Sequence, residues 1–141
     1  VKLYITEHAS LTLRTRPGPI RTPQDLVPVV RDAVGKEMRE YFIVALLNTR
    51  HMVYRLTVLS IGSLNSSIVH PREVFREAIR HAAASVLLVH NHPSGEPTPS
   101  EDDVEMTQRL ARVGETVGIE VLDHVIIGGK SHFSFREAGI L

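Results

Sequence analysis

Val86-Leu87-Leu88-Val89-His90-Asn91-His92-Pro93-Ser94-Gly95-Glu96-Pro97-Thr98-Pro99-Ser100-Glu101-Asp102-Asp103 changes character twice. It opens as a short apolar run, Val86 to Val89, which reads as a buried strand. Pro93, Gly95, Pro97 and Pro99 then stiffen a loop and forbid helix. A helix can begin only at Ser100, a favoured N-cap residue. Strand, rigid loop and helix make a βα unit, so the fold is a sheet with helices packed on it.

The flanking segments extend that reading. After Ser100, the residues Met106, Leu110, Val113 and Val117 mark the inner face of a helix, and Gly118 is its stop. Ile119–Ile127 reads as a strand, Gly128-Gly129 as a tight turn and Ser131–Phe135 as the return strand. Upstream, His70-Pro71 opens a helix with Val74, Phe75, Ala78, Ile79 and Ala82 on one face. Tyr41–Leu47 is a continuous apolar strand, Asn48–His51 a hairpin turn and Met52–Ser60 its partner. A further short strand is expected near Ser66–Val69. Thr22 as N-cap, Pro23 at the first helical position and Asp25 in the first turn start another helix, carried by Leu26, Val29, Val30, Ala33 and Val34 to about Met38. Val1–Ile5 reads as an edge strand and Thr15–Pro19 as a turn. The order predicts an α/β sandwich of the α+β kind with a mixed sheet. Residues 1–21 form an N-terminal extension or edge strand to one domain over 22–141.

The 141 residues suffice for a single hydrophobic core. The apolar fraction of 43% and charged fraction of 23% are those of a soluble globular protein. Sixteen basic and sixteen acidic residues cancel, which argues against a dedicated nucleic-acid coat but leaves room for a local patch. Arg72, Arg76 and Arg80 form one helix stripe, interleaved with Glu73 and Glu77, and a solvated face explains it more simply than phosphate contact. Cysteine is absent, so disulfides and thiolate metal sites are excluded, and any metal must use His and carboxylate ligands. Phe42–Leu47, the longest apolar run, is too short to span a bilayer. No signal-peptide pattern opens the chain, so a cytoplasmic location is expected. The chain starts at Val1, as a fragment of a longer protein would.

His90 and His92 carry the chemistry. Side chains at i and i+2 on a strand point to one side, so both imidazoles can converge on one ion if the strand conformation continues through His92. Asp103, in the first turn of the next helix, can face back toward them. A His/His/Asp set with an open fourth position is a catalytic zinc pattern, and such a site generates a nucleophile from water at neutral pH. Each part also has an ordinary meaning: a His-x-His pair is commonly a surface or core feature, and Ser100-x-x-Asp103 has the spacing of a capping box. A hydrolase also needs a base near the water. Glu40, just before the Tyr41–Leu47 strand, is one candidate and Glu37 the competitor. Ser100 can offer its hydroxyl to a developing oxyanion. His124 reads as a structural histidine bonded to Asp123, and His70 as an aid to helix entry.

His90-x-His92, seven residues, Ser100, two residues and Asp103 resemble the JAMM (MPN+/JAB) zinc metalloprotease motif. Val69-His70-Pro71-Arg72-Glu73-Val74-Phe75, His90-Asn91-His92-Pro93-Ser94-Gly95, Asp123-His124-Val125-Ile126-Ile127-Gly128 and Ser134-Phe135-Arg136-Glu137 resemble the RadC family, historically named as DNA repair proteins. The resemblance covers roughly residues 22 to 141. It implies a JAB1/MPN, cytidine-deaminase-like sandwich. It further implies one zinc ion on His90, His92 and Asp103, Glu40 as general base and Ser100 as oxyanion stabiliser. The resulting expectation is a zinc metallopeptidase acting on a peptide or isopeptide bond. The rival expectation is a DNA repair or recombination factor whose metal is structural or vestigial, and a third is a partner-binding scaffold. The upstream helix-hairpin-helix-like region of longer relatives is not in this sequence, so DNA contact through it is not carried over.

Overall fold

The computed structural model describes residues 2–5, 9–12, 18–34, 39–62 and 69–141. Two backbone segments, β1 (Lys2–Ile5) and β2 (Ala9–Thr12), pair antiparallel as a separate two-stranded sheet. The edge strand expected at the N-terminus therefore has its own hairpin partner, which the sequence reading did not anticipate. The main body runs α1 (Pro23–Val34), β3 (Tyr41–Leu47), β4 (Val53–Ile61), α2 (Pro71–Arg80), β5 (Ser85–Asn91), α3 (Glu101–Val117), β6 (Glu120–Gly128) and β7 (Ser131–Ser134). Its five strands lie in the order β4-β3-β5-β6-β7. Only the β5–β6 pair is parallel, and α3 supplies the crossover that such a pair requires. The result is the mixed α+β sandwich expected from the element order. The segment 66–68 of the expected extra strand, and the helix end near Met38, lie outside the described residues.

β5 is the central strand, and every residue from Ser85 to Asn91 is buried. Alternation along β3 and β5 feeds two cores. Ile43, Ala45, Leu87 and Val89 face α1 with Leu26, Val27 and Val30. Phe42, Val44, Val86 and Leu88 face α2 and α3 with Val74, Phe75, Met106 and Leu110. Among the described residues, no helix is long and apolar enough to cross a membrane.

Local chemistry sets the element ends. Asp25, rather than Thr22, supplies the capping acceptor of α1: its Oδ2 accepts the N–H groups of Arg21 and Thr22 and the Thr22 hydroxyl. These backbone bonds hold the Asp25 carboxyl below its ordinary pKa. At the β3–β4 turn, Asn48 Oδ1 accepts the N–H groups of Arg50 and Met52 while His51 takes a left-handed φ of 58°. His70 is the extended N-cap of α2, with Pro71 behind it. The inner faces of α2 and α3 are narrower than their apolar periodicity implies. Ile79 is 62% exposed and Val117 44% exposed, and Ala82, also exposed, lies beyond the end of α2 at a left-handed φ of 52°. Conversely Glu77, read as part of a solvated stripe, is buried against Thr57 and His81. Arg72 and Arg76 remain exposed and pair with Glu73. Gly118 ends α3 at φ 77°, as the left-handed stop requires.

Candidate metal centre

The site forms where β5 ends. His90 is the penultimate residue of β5. The His92 N–H still donates to the Ile127 carbonyl at 2.7 Å, so the β5–β6 ladder reaches His92. That continuation keeps the two imidazoles on one side. Their Nε2 atoms lie 2.8 Å apart. Asp103 enters from α3, with Oδ1 3.8 Å from His90 Nε2 and Oδ2 3.7 Å from His92 Nε2. One ligand atom from each of these three residues falls within 4.8 Å of the others.

Asp103 caps α3 and is also placed where it could serve as a ligand. Ser100 Oγ accepts the Asp103 N–H at 3.1 Å, and Asp103 Oδ2 accepts the Ser100 N–H at 2.9 Å, a complete capping box. The box fixes the carboxylate rotamer while leaving both oxygens near the imidazoles. Ser100 itself is exposed, beside the centre.

The donor set fits a divalent ion. His92 Nδ1 lies 2.7 Å from the Glu96 carbonyl, an acceptor only, so in the neutral ring Nδ1 carries the proton and Nε2 the lone pair. His90 Nδ1 lies 2.8 Å from His124 Nε2. Burial pushes the His90 pKa down to about 4; the Asp103 carboxylate opposes this and His92 adds to it. A neutral His90 beside His92 gives two nitrogen donors converging with a carboxylate, and such lone pairs repel unless a proton or a metal cation joins them. Bonds of about 2.0–2.1 Å to a tetrahedral ion place ligand atoms roughly 3.3 Å apart, between the observed separations. The side chain of His90 is 1% exposed and that of His92 16%, so the open side of the site lies at His92.

Glu40 ends the chain segment leading into β3. Phe42 pairs with His90, and the same antiparallel register carried outward brings Glu40 level with His92. Glu40 shares the parity of Phe42, whose ring stacks on His90 at 6.0 Å. Its flanking peptides are pinned: Asn91 Oδ1 accepts the Tyr41 N–H at 2.7 Å, Asn91 Nδ2 donates to the Arg39 carbonyl at 2.9 Å, and the Gly62 N–H donates to the Glu40 carbonyl at 2.9 Å. Glu37 lies outside the described residues.

Four supporting features escaped the sequence reading. Asn91 is one. Thr107 is another, although its place one turn after Asp103 on α3 was a signal. The Glu96 carbonyl is a third. The fourth is Gly128, where a Cβ would sit 2.7 Å from Pro97 N and 2.8 Å from Gly95 O, so only glycine lets the 93–99 loop lie against β6. His124 is corrected. Asp123 accepts its main-chain N–H at 2.7 Å, together with the Arg136 N–H and the Ser134 hydroxyl, and thereby staples the β6–β7 hairpin. The His124 imidazole points the other way, to His90 and to Thr107 Oγ1 at 2.6 Å. It is fully buried between Phe42 and Phe135, with the Phe135 ring parallel at 4.7 Å. Burial first, then His90 and His92, hold its pKa well below the ordinary imidazole value.

A model described as RadC-like JAB domain matches residues 20–140. A UPF0758 protein of Halalkalibacterium halodurans is 52% identical over 122 residues, 86% of this chain and 53% of that protein. One from Desulforamulus reducens is 50% identical over 122 residues, 86% of this chain and 54% of that protein. A third, from Alkaliphilus metalliredigens, is 47% identical over 132 residues, covering 94% and 57%. The chain spans about half the length of these curated relatives. The matched region contains the whole five-stranded sheet and all three candidate ligand positions, and on that ground the chain belongs to the RadC-like JAB-domain family.

Proposed function

We propose that the chain is a zinc-dependent hydrolase of amide bonds, acting on a peptide or isopeptide. The observation that carries this reading is the convergence of His90 Nε2, His92 Nε2 and the Asp103 carboxylate at a strand end open to solvent on the His92 side. Zinc held by these three residues supplies Lewis acidity and lowers the pKa of water toward about 7. His, His and carboxylate suit zinc among the common divalent ions.

The remaining roles belong to the protein. Glu40 accepts a proton from the attacking water and delivers it to the leaving amine nitrogen as the C–N bond breaks. Ser100 donates its hydroxyl proton to the carbonyl oxygen as negative charge develops there. Its Oγ already accepts the Asp103 N–H, so the hydroxyl hydrogen is available for that task. Asn91 holds the backbone on both sides of Glu40.

Metal content and peptide cleavage test the reading in wild type, His92→Ala and Glu40→Gln. Wild type is expected to hold one zinc ion per chain. His92→Ala should lose it. Glu40→Gln should keep zinc and lose activity. A wild-type chain that takes up no divalent metal overturns the proposal.

A further inference from the structure

We infer that Thr107 and His124 form a hydrogen-bonded relay that sets the tautomer of His90, presenting its Nε2 lone pair to the metal site. The inference rests on the metal-site reading above, but its logic starts from a single hydroxyl proton. Thr107 Oγ1 lies 2.6 Å from the Asp103 main-chain carbonyl and 2.6 Å from His124 Nδ1. The carbonyl can only accept, so the one hydroxyl proton goes to it. His124 Nδ1 must then donate to Thr107 Oγ1. A neutral imidazole carries one N–H, so His124 Nε2 accepts. Its partner, at 2.8 Å, is His90 Nδ1, which must therefore be the protonated nitrogen of His90. The Nε2 of His90 is left as a lone pair facing His92 and Asp103.

The relay is dry. His90, Thr107 and His124 are at most 1% exposed, so water does not offer substitute partners. It also closes a circuit: it begins on the main chain of one ligand-bearing residue, Asp103 on α3, and ends on the side chain of another, His90 on β5. His124 on β6 is the bridge, with its ring plane fixed by Phe135 at 4.7 Å and 5°. Sliding α3 against the sheet would break the relay. His92 takes its tautomer separately, from the Glu96 carbonyl. Thr107 and His124 touch no ligating atom of the site, so they are positioning residues. Ligand-orienting partners of this kind typically contribute about 10–100-fold in metal affinity.

The test uses the intact chain with Thr107→Val, Thr107→Ser, His124→Gln and His124→Leu. Two readouts are taken: the zinc dissociation constant by competition with a chromophoric chelator, and the imidazole tautomers of the metal-free protein by 15N NMR. Wild type should carry the His124 proton on Nδ1. Thr107→Val removes the acceptor, so the His124 proton should move to Nε2 and zinc affinity should fall about 10–100-fold. Thr107→Ser should restore both. His124→Gln keeps an acceptor where Nε2 stood and should hold zinc more tightly than His124→Leu. A wild-type His124 protonated on Nε2, or a folded Thr107→Val that binds zinc as wild type does, overturns the relay. Should wild type bind no zinc while His124 shows the expected tautomer and its reversal in Thr107→Val, the relay stands and the metal reading falls. If Thr107→Val does not fold, the wild-type tautomer and the Gln/Leu comparison at position 124 decide.

Discussion

Asn91 is hydrogen-bonded through its side-chain carbonyl to the Tyr41 N–H at 2.7 Å, which ties the residue between the two histidines to the first residue after Glu40. Its amide nitrogen holds the Arg39 carbonyl on the other side. One side chain thus fixes both peptides around the candidate base. Asn91→Ala should leave zinc stoichiometry unchanged, because no ligand is touched. It should cost about 1–3 kcal/mol of stability by leaving a buried N–H unsatisfied, read by urea unfolding. It should also lower peptide turnover by about a hundredfold if Glu40 shifts by roughly an ångström. Full turnover in a folded, zinc-loaded Asn91→Ala would remove Glu40 from the role assigned to it.

Gly128→Ala tests the loop that orients His92. The added Cβ meets backbone atoms of Gly95, Glu96 and Pro97 at 2.7–2.8 Å, and backbone cannot swing aside as a long side chain can. The loop must lift, and the Glu96 carbonyl then leaves His92 Nδ1. Stability should fall by about 1–3 kcal/mol and zinc affinity should fall with it. Gly114→Ala is the control. Its Cβ meets the Ile119 carbonyl at 2.5 Å, far along α3 from the ligands, so it should destabilise the fold in urea with less effect on the zinc affinity of the folded fraction. Equal affinity losses in the two variants would argue that zinc binding follows global stability and not the loop.

The line between what was legible and what was not follows the range of each signal. The β5 strand, the proline-stiffened loop and the Ser100 cap are local, and all could be read from adjacent residues. His90, His92 and Asp103 lie within one such stretch, so their meeting could be anticipated. His124 could not be aimed correctly. The register of β5 and β6 slips between Val86/Leu87, where Val121 and Asp123 become successive partners and Leu122 is the extra residue. A bulge of this kind reverses the side-chain parity beyond it. Val121 faces the α2/α3 core, but Val125 and Ile127 face the α1 core, which leaves His124 on the side of His90. No short-range pattern announces that bulge. Glu77 and Ile79 exchanged their expected environments for a similar reason: periodicity gives a helix its apolar stripe but not its distant partners, and Glu77 meets the Thr57 hydroxyl of β4.

Acid should unfold the metal-free protein earlier than its carboxylates alone would suggest. His90 has a folded pKa near 4, below its ordinary value of 6.5, chiefly through burial, and His124 is shifted in the same direction. Between these values the unfolded chain binds more protons than the folded one, so stability rises with pH. The contribution is fully present above about pH 6.5 and is lost as pH falls toward 4, on the order of a few kcal/mol at one pKa unit per 1.4 kcal/mol. Urea midpoints from pH 7.5 to 4.5 measure it. Saturating zinc should raise the curve, since ion and proton compete for the same nitrogens, by about 2.7 kcal/mol at a hundredfold excess over Kd. A midpoint that stays flat across this window would mean that these imidazoles are not buried in the neutral form.

Ser100 is where capping and catalysis can be separated. Its Oγ accepts the Asp103 N–H and its main-chain N–H donates to the Asp103 carboxylate, and neither bond uses its hydroxyl proton. Ser100→Ala removes the cap acceptor and the hydroxyl together. It should cost about 0.5–2 kcal/mol of stability and, if the hydroxyl stabilises the oxyanion, about 10²–10³-fold in kcat. Ser100→Gly loses the same hydroxyl, but glycine is a tolerable N-cap that costs only a few tenths of a kcal/mol. Its backbone meets no constraint at φ −78° and ψ 167°. The N–H that holds Asp103 survives in both variants, so zinc should be retained in both. An oxyanion role therefore predicts equal losses of kcat with unequal stabilities. If kcat instead follows stability, and Ser100→Gly turns over peptide nearly as wild type does, Ser100 is a helix cap that lies beside the metal centre and takes no part in its chemistry.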